Sequence, residues 1–124
     1  ARAPLGLDEA IERGCAARDL GVDAVFVEAP QSIDELREIA SAITGVTLVA
    51  NMVEGGRTPL LTPEELAEIG FRMVVSPLSG LLAMSASVGQ ALATLHGSGS
   101  MRGSLDSLTG FDAFVSLVSD STRA

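Results

Sequence analysis

At 124 residues the chain is one domain at most, long enough for a real core. A net charge of −8 argues against nucleic acid and against an anionic membrane surface, since nothing here neutralises a run of phosphates. No apolar run approaches the ~20 residues that span a bilayer, and no signal-peptide pattern opens the chain. Hydrophobic residues are 47% and aromatics 3%, so the core is built from Ala, Val, Leu and Ile. The single cysteine, Cys15, excludes an internal disulfide and fits a reducing cytosol. Its neighbours Ala10, Ile11 and Arg18 give it a helical setting, so it reads as a small packed residue rather than a nucleophile.

Helix and strand alternate along the chain. Leu7 to Leu20 carries apolar residues at Leu7, Ala10, Ile11 and Cys15, and Gly21 stops that helix. Asp23 to Glu28 is a short apolar run of the kind buried on both faces of a parallel sheet. Ser32 with Glu35 predicts a capping box, followed by a stripe of Ile33, Leu36, Ile39, Ala40 and Ile43. Val46 to Ala50 is the second strand. Thr62-Pro63-Glu64-Glu65 is another capping box with proline at the first helical position, and Gly70 closes that helix. Met73 to Ser76 is the third strand, followed by a Leu/Ala-rich helix from about Leu78 to His96. This order predicts right-handed crossovers and a parallel sheet.

Beyond Leu95 the character changes. His96-Gly97-Ser98-Gly99-Ser100 has linker composition, and little periodicity follows up to Gly110. Thr109 then caps an amphipathic segment with Phe111, Phe114, Val115 and Val118 at helical spacing. The expected organisation is a main unit over 1–96, a flexible linker over 97–110, a helix over 111–118 and a frayed tail over 119–124.

The richest polar segment is Asn51 to Pro59, directly behind the second strand. A strand that ends in polar groups and loosens into glycine is how an α/β scaffold presents chemistry at its carboxyl edge. Gly55-Gly56 lacks the longer pattern of a phosphate loop and reads as a tight turn. Thr58-Pro59 shapes that turn. Arg57 can balance an anionic ligand, although exposed arginines are common, and Ser76-Pro77 ends the third strand on the same rim. His96 borders the linker and reads as solvated.

Four stretches in register, GLDEAIER (Gly6 to Arg13), VDAVFVEAP (Val22 to Pro30), NMVEGGRTPLL (Asn51 to Leu61) and VVSPLS (Val74 to Ser79), resemble the isocitrate lyase/phosphoenolpyruvate mutase superfamily. The branch they resemble contains methylisocitrate lyase, dimethylmalate lyase and carboxyphosphonoenolpyruvate phosphonomutase. Thr109 to Phe114 is similar to that branch's C-terminal Thr-Phe-(Asp/Glu)-Glu-Phe motif. The resemblance implies a (β/α)8 barrel of which this chain is the second half: three parallel strands with helices, plus a C-terminal helical extension. A whole barrel takes roughly 250 residues. Ala1-Arg2 is similar to the end of the family's Arg-Thr-Asp-Ala-Arg run, so the clamping arginine, the metal-holding aspartates and the Lys-x-Cys-Gly-His loop are expected upstream of residue 1.

By this resemblance the chemistry is Mg²⁺-dependent carbon–carbon cleavage of small 2-hydroxy (di)carboxylic acids to a 2-oxo acid and a carboxylate. Glu28 would hydrogen-bond the substrate hydroxyl or a metal-bound water. Asn51 would donate its amide to a substrate carboxylate, Met52 and Val53 would lend backbone contacts, and Glu54 would orient Asn51 or hold the glycine loop. Arg57 and Ser76 are weaker substrate-site members. No catalytic residue and no direct metal ligand is expected in this segment, so the chain alone is expected to be inactive. Leu82 stands where the lyases commonly carry an arginine that grips a carboxylate, which argues against tricarboxylates and for smaller diacids, 2-oxo acids or phosphonates. The enzymatic alternative is a phosphonomutase-type P–C reaction; the non-enzymatic one is a half barrel acting as an assembly module. Family members assemble as dimers or tetramers that exchange a C-terminal helix, which the 111–118 segment suits. A cytoplasmic homo-oligomer binding a small anionic acid is the resulting expectation.

Overall fold

The computed structural model describes residues 5–120. The Ala1-Arg2 motif end and the last four residues of the expected tail lie outside them. The chain divides into two compact units, Ala1–Leu82 and Ala83–Ala124.

The first unit alternates helix α1 (Leu7–Asp19), strand β1 (Ala24–Phe26), helix α2 (Ile33–Ala42), strand β2 (Thr47–Asn51), helix α3 (Pro63–Ile69) and strand β3 (Met73–Val75). The strands form one parallel sheet in the order β1-β2-β3, with Phe26 opposite Val49 and Asn51 opposite Val75. β1 and β3 are shorter than their apolar runs, while β2 keeps the expected five residues but sits one position later, ending on Asn51.

Local chemistry sets the helix starts. Ser32 Oγ accepts the Glu35 N–H at 3.1 Å, and the Glu35 carboxylate reaches back to the Gln31 N–H at 2.7 Å. At Thr62 both capping-box bonds form, with Pro63 supplying a preset φ in the first turn. Each such cap contributes about 1 kcal/mol.

Packing is one-sided. Leu36, Ile39 and Ile43 of the α2 stripe are sealed together with Leu66, Leu48, Ala50, Val25 and Phe71. Full burial of each large aliphatic contributes about 1.5–3 kcal/mol. Cys15 packs against this cluster, its thiol 3.7 Å from the Ala42 carbonyl oxygen. Along β2 the burial alternates, so Leu48 and Ala50 face the helices while Val49 and Asn51 face the other way. On that other face Phe26, Met73 and Val75 are exposed.

In the second unit, helix α4 runs over Ser79–Ser98, having begun in the first unit, and a 3₁₀ turn over Leu105–Ser107 precedes helix α5 (Phe111–Asp120). The glycine- and serine-rich start expected for a linker at 97 is therefore still helical through Ser98. The Thr94 and Ser98 hydroxyls bond to the Gln90 and Thr94 carbonyl oxygens at 3.0 and 2.9 Å, which keeps polar residues inside the helix. The stretch to Gly110 is likewise not structureless. Helix α5 starts at Phe111, and the residue at its cap is Gly110 and not Thr109, the Gly110 carbonyl taking the first bond from the Phe114 N–H. The helix continues to Asp120, into the segment where a frayed tail is expected. No helix of the described residues is long and apolar enough to cross a membrane.

The approach of α1 to α2 depends on Gly14. A β-carbon there would collide with the end of the Ile43 side chain and sit 3.4 Å from Val25. Gly14→Val is expected to cost about 1–3 kcal/mol of stability through overpacking, read from the midpoint shift in a denaturant titration.

Candidate functional site

The loops after β1 and β2 enclose a cleft of about 400 Å³ at the carboxyl edge of the sheet. Its wall brings together Glu28, Asn51, Met52, Val53 and Arg57, residues separated by up to a third of the first unit's fold but joined by the parallel register. Phe26, Ala29, Thr58 and Phe71 are among its other lining residues. Glu54 and Ser76 do not line it.

Asn51 is the last residue of β2. Its Oδ1 is closed off from solvent and finds no hydrogen-bond donor among the described residues. A buried acceptor without a donor costs about 1–3 kcal/mol, so such an atom marks a place where a ligand or water belongs. Glu28 and Arg57 stand exposed on the wall. Arg57 makes no ion pair among the described residues. Met52 lines the cleft, but its amide is already engaged. Its N–H donates to the Val75 carbonyl at 2.9 Å, extending the sheet, and its thioether lies 3.4 Å from the Leu61 N–H.

The turn that follows is held from two sides. Gly55 has φ 72, a left-handed conformation, and a β-carbon on Gly56 would meet the Val53 carbonyl oxygen at 2.9 Å. The Gly56 N–H closes the turn onto that same oxygen at 3.0 Å. Glu54 points away from the cleft and accepts a hydrogen bond from the Ser79 hydroxyl at the start of α4. That bond, with help from its own backbone N–H, lowers the Glu54 carboxyl below its ordinary value. Of the two roles foreseen for Glu54, holding the glycine loop is the one this geometry serves.

Ala29 carries a signal that composition does not reveal. It has φ 54, the only positive φ at a non-glycine position among the described residues. The left-handed region costs an alanine about 1–2 kcal/mol. It immediately follows Glu28.

The described residues do not build a metal centre. No three His, Cys, Asp or Glu side chains among them come together, and Glu28 is the only carboxylate on the cleft wall. Mg²⁺ takes about six oxygens in an octahedron, which one carboxylate does not supply.

Comparison with known proteins gives this geometry a family. A scan against protein-family models matches none. The petal death protein of Dianthus caryophyllus is 41% identical over 119 residues, 96% of this chain and 37% of that protein. The chloroplastic carboxyvinyl-carboxyphosphonate phosphorylmutase of Arabidopsis thaliana is 46% identical over 113 residues, 91% of this chain and 33% of its own length. 2,3-Dimethylmalate lyase of Eubacterium barkeri is 36% identical over 118 residues, 95% and 40% of the two chains. A crystal structure of 2,3-dimethylmalate lyase, a PEP mutase/isocitrate lyase superfamily member, superposes with a TM-score of 0.76 at 33% identity over 80% of this chain and 35% of that one. The chain belongs to this superfamily. Oxaloacetate acetylhydrolase in complex with 3,3-difluorooxalacetate superposes with a TM-score of 0.85 at 32% identity, over 99% of this chain and 41% of that one. Phosphonopyruvate hydrolase, in complex with oxalate and Mg²⁺, superposes at 0.77 and 25% identity over 95% and 42%. The three strands and their helices are thus part of a (β/α)8 barrel, and the chain spans about two-fifths or less of the curated relatives it matches.

Two consequences are measurable. Ser79→Ala should raise the Glu54 carboxyl towards its ordinary value, seen in a carbon-detected NMR titration. Because the folded value is lowered, the stability this bond contributes is complete above the ordinary carboxylate range and is lost as the pH falls through the lowered value. Gly56→Ala should destabilise the turn by about 1–3 kcal/mol, visible as a fall in melting temperature.

Proposed function

We propose that this chain forms one wall of the substrate site of a Mg²⁺-dependent carbon–carbon lyase acting on small 2-hydroxy or 2-oxo (di)carboxylic acids. The observation that carries the reading is the unpartnered, buried Asn51 Oδ1 beside Glu28 and Arg57 in one cleft. A 2-hydroxy acid has the complementary groups. Its hydroxyl can donate to Asn51 Oδ1 or to Glu28, while its carboxylate takes the Asn51 Nδ2 hydrogens and the positive field of Arg57. The buried Phe71 and Met52 give this wall a dry floor, which strengthens each of those contacts. Val53 lines the same wall, Glu54 secures the loop from behind, and Ser76 has no part in the cleft. Relatives named for dimethylmalate and structures of oxaloacetate acetylhydrolase support small diacids, and Leu82 at the position of the lyase arginine agrees with that size.

Metal and base lie outside the described residues in this reading, and the 124-residue chain by itself is inactive. A phosphonate substrate is the second reading, favoured by the 46% identity to a phosphorylmutase and the likeness to phosphonopyruvate hydrolase. Phosphorus NMR with phosphonopyruvate separates the two. A half barrel acting only as an assembly module is the non-enzymatic reading, and activity of the full-length protein decides against it. The single cysteine suits a cytoplasmic setting.

In the full-length protein, Asn51→Ala is expected to lower kcat/KM for a small 2-hydroxy diacid about 10- to 100-fold, the worth of one hydrogen bond to a charged group. EDTA should abolish turnover; turnover that persists without metal would overturn the proposal. The exposed Phe111 and Phe114 of α5 are the proposed contacts of a helix exchanged between subunits. Phe111→Ser with Phe114→Ser should shift the mass found by light scattering to a smaller species while leaving the melting temperature nearly unchanged.

A further inference from the structure

We propose that Ala29 is a positioning residue, its left-handed backbone pinning the Glu28 carboxylate to the cleft wall. The inference rests on the reading of Glu28 as a substrate contact. Side chains alternate along and just beyond β1: Val25 is buried, Phe26 exposed, Val27 buried and Glu28 exposed. An extended chain would keep that phase, turning residue 29 inward and residue 30 outward. Instead Pro30 is buried and Ala29 is half-buried, so the phase is broken at Ala29, where φ is 54.

The break has two rigid neighbours. Val27 is 8% exposed in the core on one side, and Pro30, with its fixed φ, is buried on the other. Glu28 and Ala29 are the two residues of the elbow between them, and Glu28, Ala29 and Pro30 all line the cleft. A glycine would adopt this conformation at no steric cost, and it is the usual residue where φ is positive. Alanine keeps the elbow but removes most of the other backbone states open to glycine, so the carboxylate that precedes it has fewer directions to point in. A strained conformation persists only where its surroundings over-determine it, and such positions cluster at binding and catalytic sites.

The test is Ala29→Gly in the full-length protein, with Glu28→Gln in parallel, each measured for melting temperature, kcat, KM and calorimetric affinity for oxalate in the presence of Mg²⁺. Ala29→Gly relieves strain, so the melting temperature should hold or rise. A loosened carboxylate should lower kcat about tenfold or more with KM changed little, in line with the cost of misplacing a catalytic group. Wild-type kcat in Ala29→Gly, while Glu28→Gln is impaired, overturns the positioning role and leaves the site reading intact. A lower melting temperature with unchanged kcat also overturns it, since that is what a purely structural alanine gives. Wild-type turnover and oxalate affinity in Glu28→Gln overturn the site reading and this inference with it.

Discussion

Strand β2 is the constraint on which the first unit depends. It is the central strand, paired on both sides, and its alternation sends Leu48 and Ala50 into the helices and Asn51 to the opposite face. A slip of one residue would exchange those faces, exposing Leu48 and burying the Asn51 amide in the aliphatic core. The core and the cleft are therefore two results of one register. The same register aligns the ends of β1 and β2, so the loops that follow both open on one edge and bring Glu28 within the wall that holds Asn51.

The cleft is polar where the chain leaves the sheet and apolar beneath. Most of its side chains are held by neighbours that have no chemistry of their own. Met52 spends its amide on β3, Gly56 closes onto Val53, and Glu54 is tied to the start of α4. Among the described residues the one buried polar side-chain atom left without a partner is the Asn51 carboxamide oxygen, and the Glu28 carboxylate and the Arg57 guanidinium stand exposed on the same wall. In the proposed reading this division fixes the ligand contacts in advance, so that little ordering is left to do on binding.

Much of this was legible in the sequence, for reasons that are local. Thr62-Pro63 and Ser32 name their helix starts because a cap needs only residues within one turn. The aliphatic stripe of α2 announces its buried face through spacing alone. Asn51 and Glu28 stand out because polar residues directly after buried strands have few roles. The details that spacing does not reveal depend on contacts distant in sequence. The destination of the Met52 amide is set by Val75, and the direction of Glu54 by Ser79, neither of which a short window sees. Ala29 was silent because an alanine with positive φ is spelled like any other alanine. Helix α4 runs two residues past its expected end, with the Ser98 hydroxyl folded back onto the Thr94 carbonyl in a stretch that composition alone reads as linker.

The sheet also carries an asymmetry between its face and its margins. Among the described residues β1 and β3 flank β2, and each is only three residues long. The uncovered face, by contrast, offers Phe26, Met73 and Val75 as a contiguous apolar surface. In a (β/α)8 barrel the face turned away from the helices is the interior, where such side chains stack in layers.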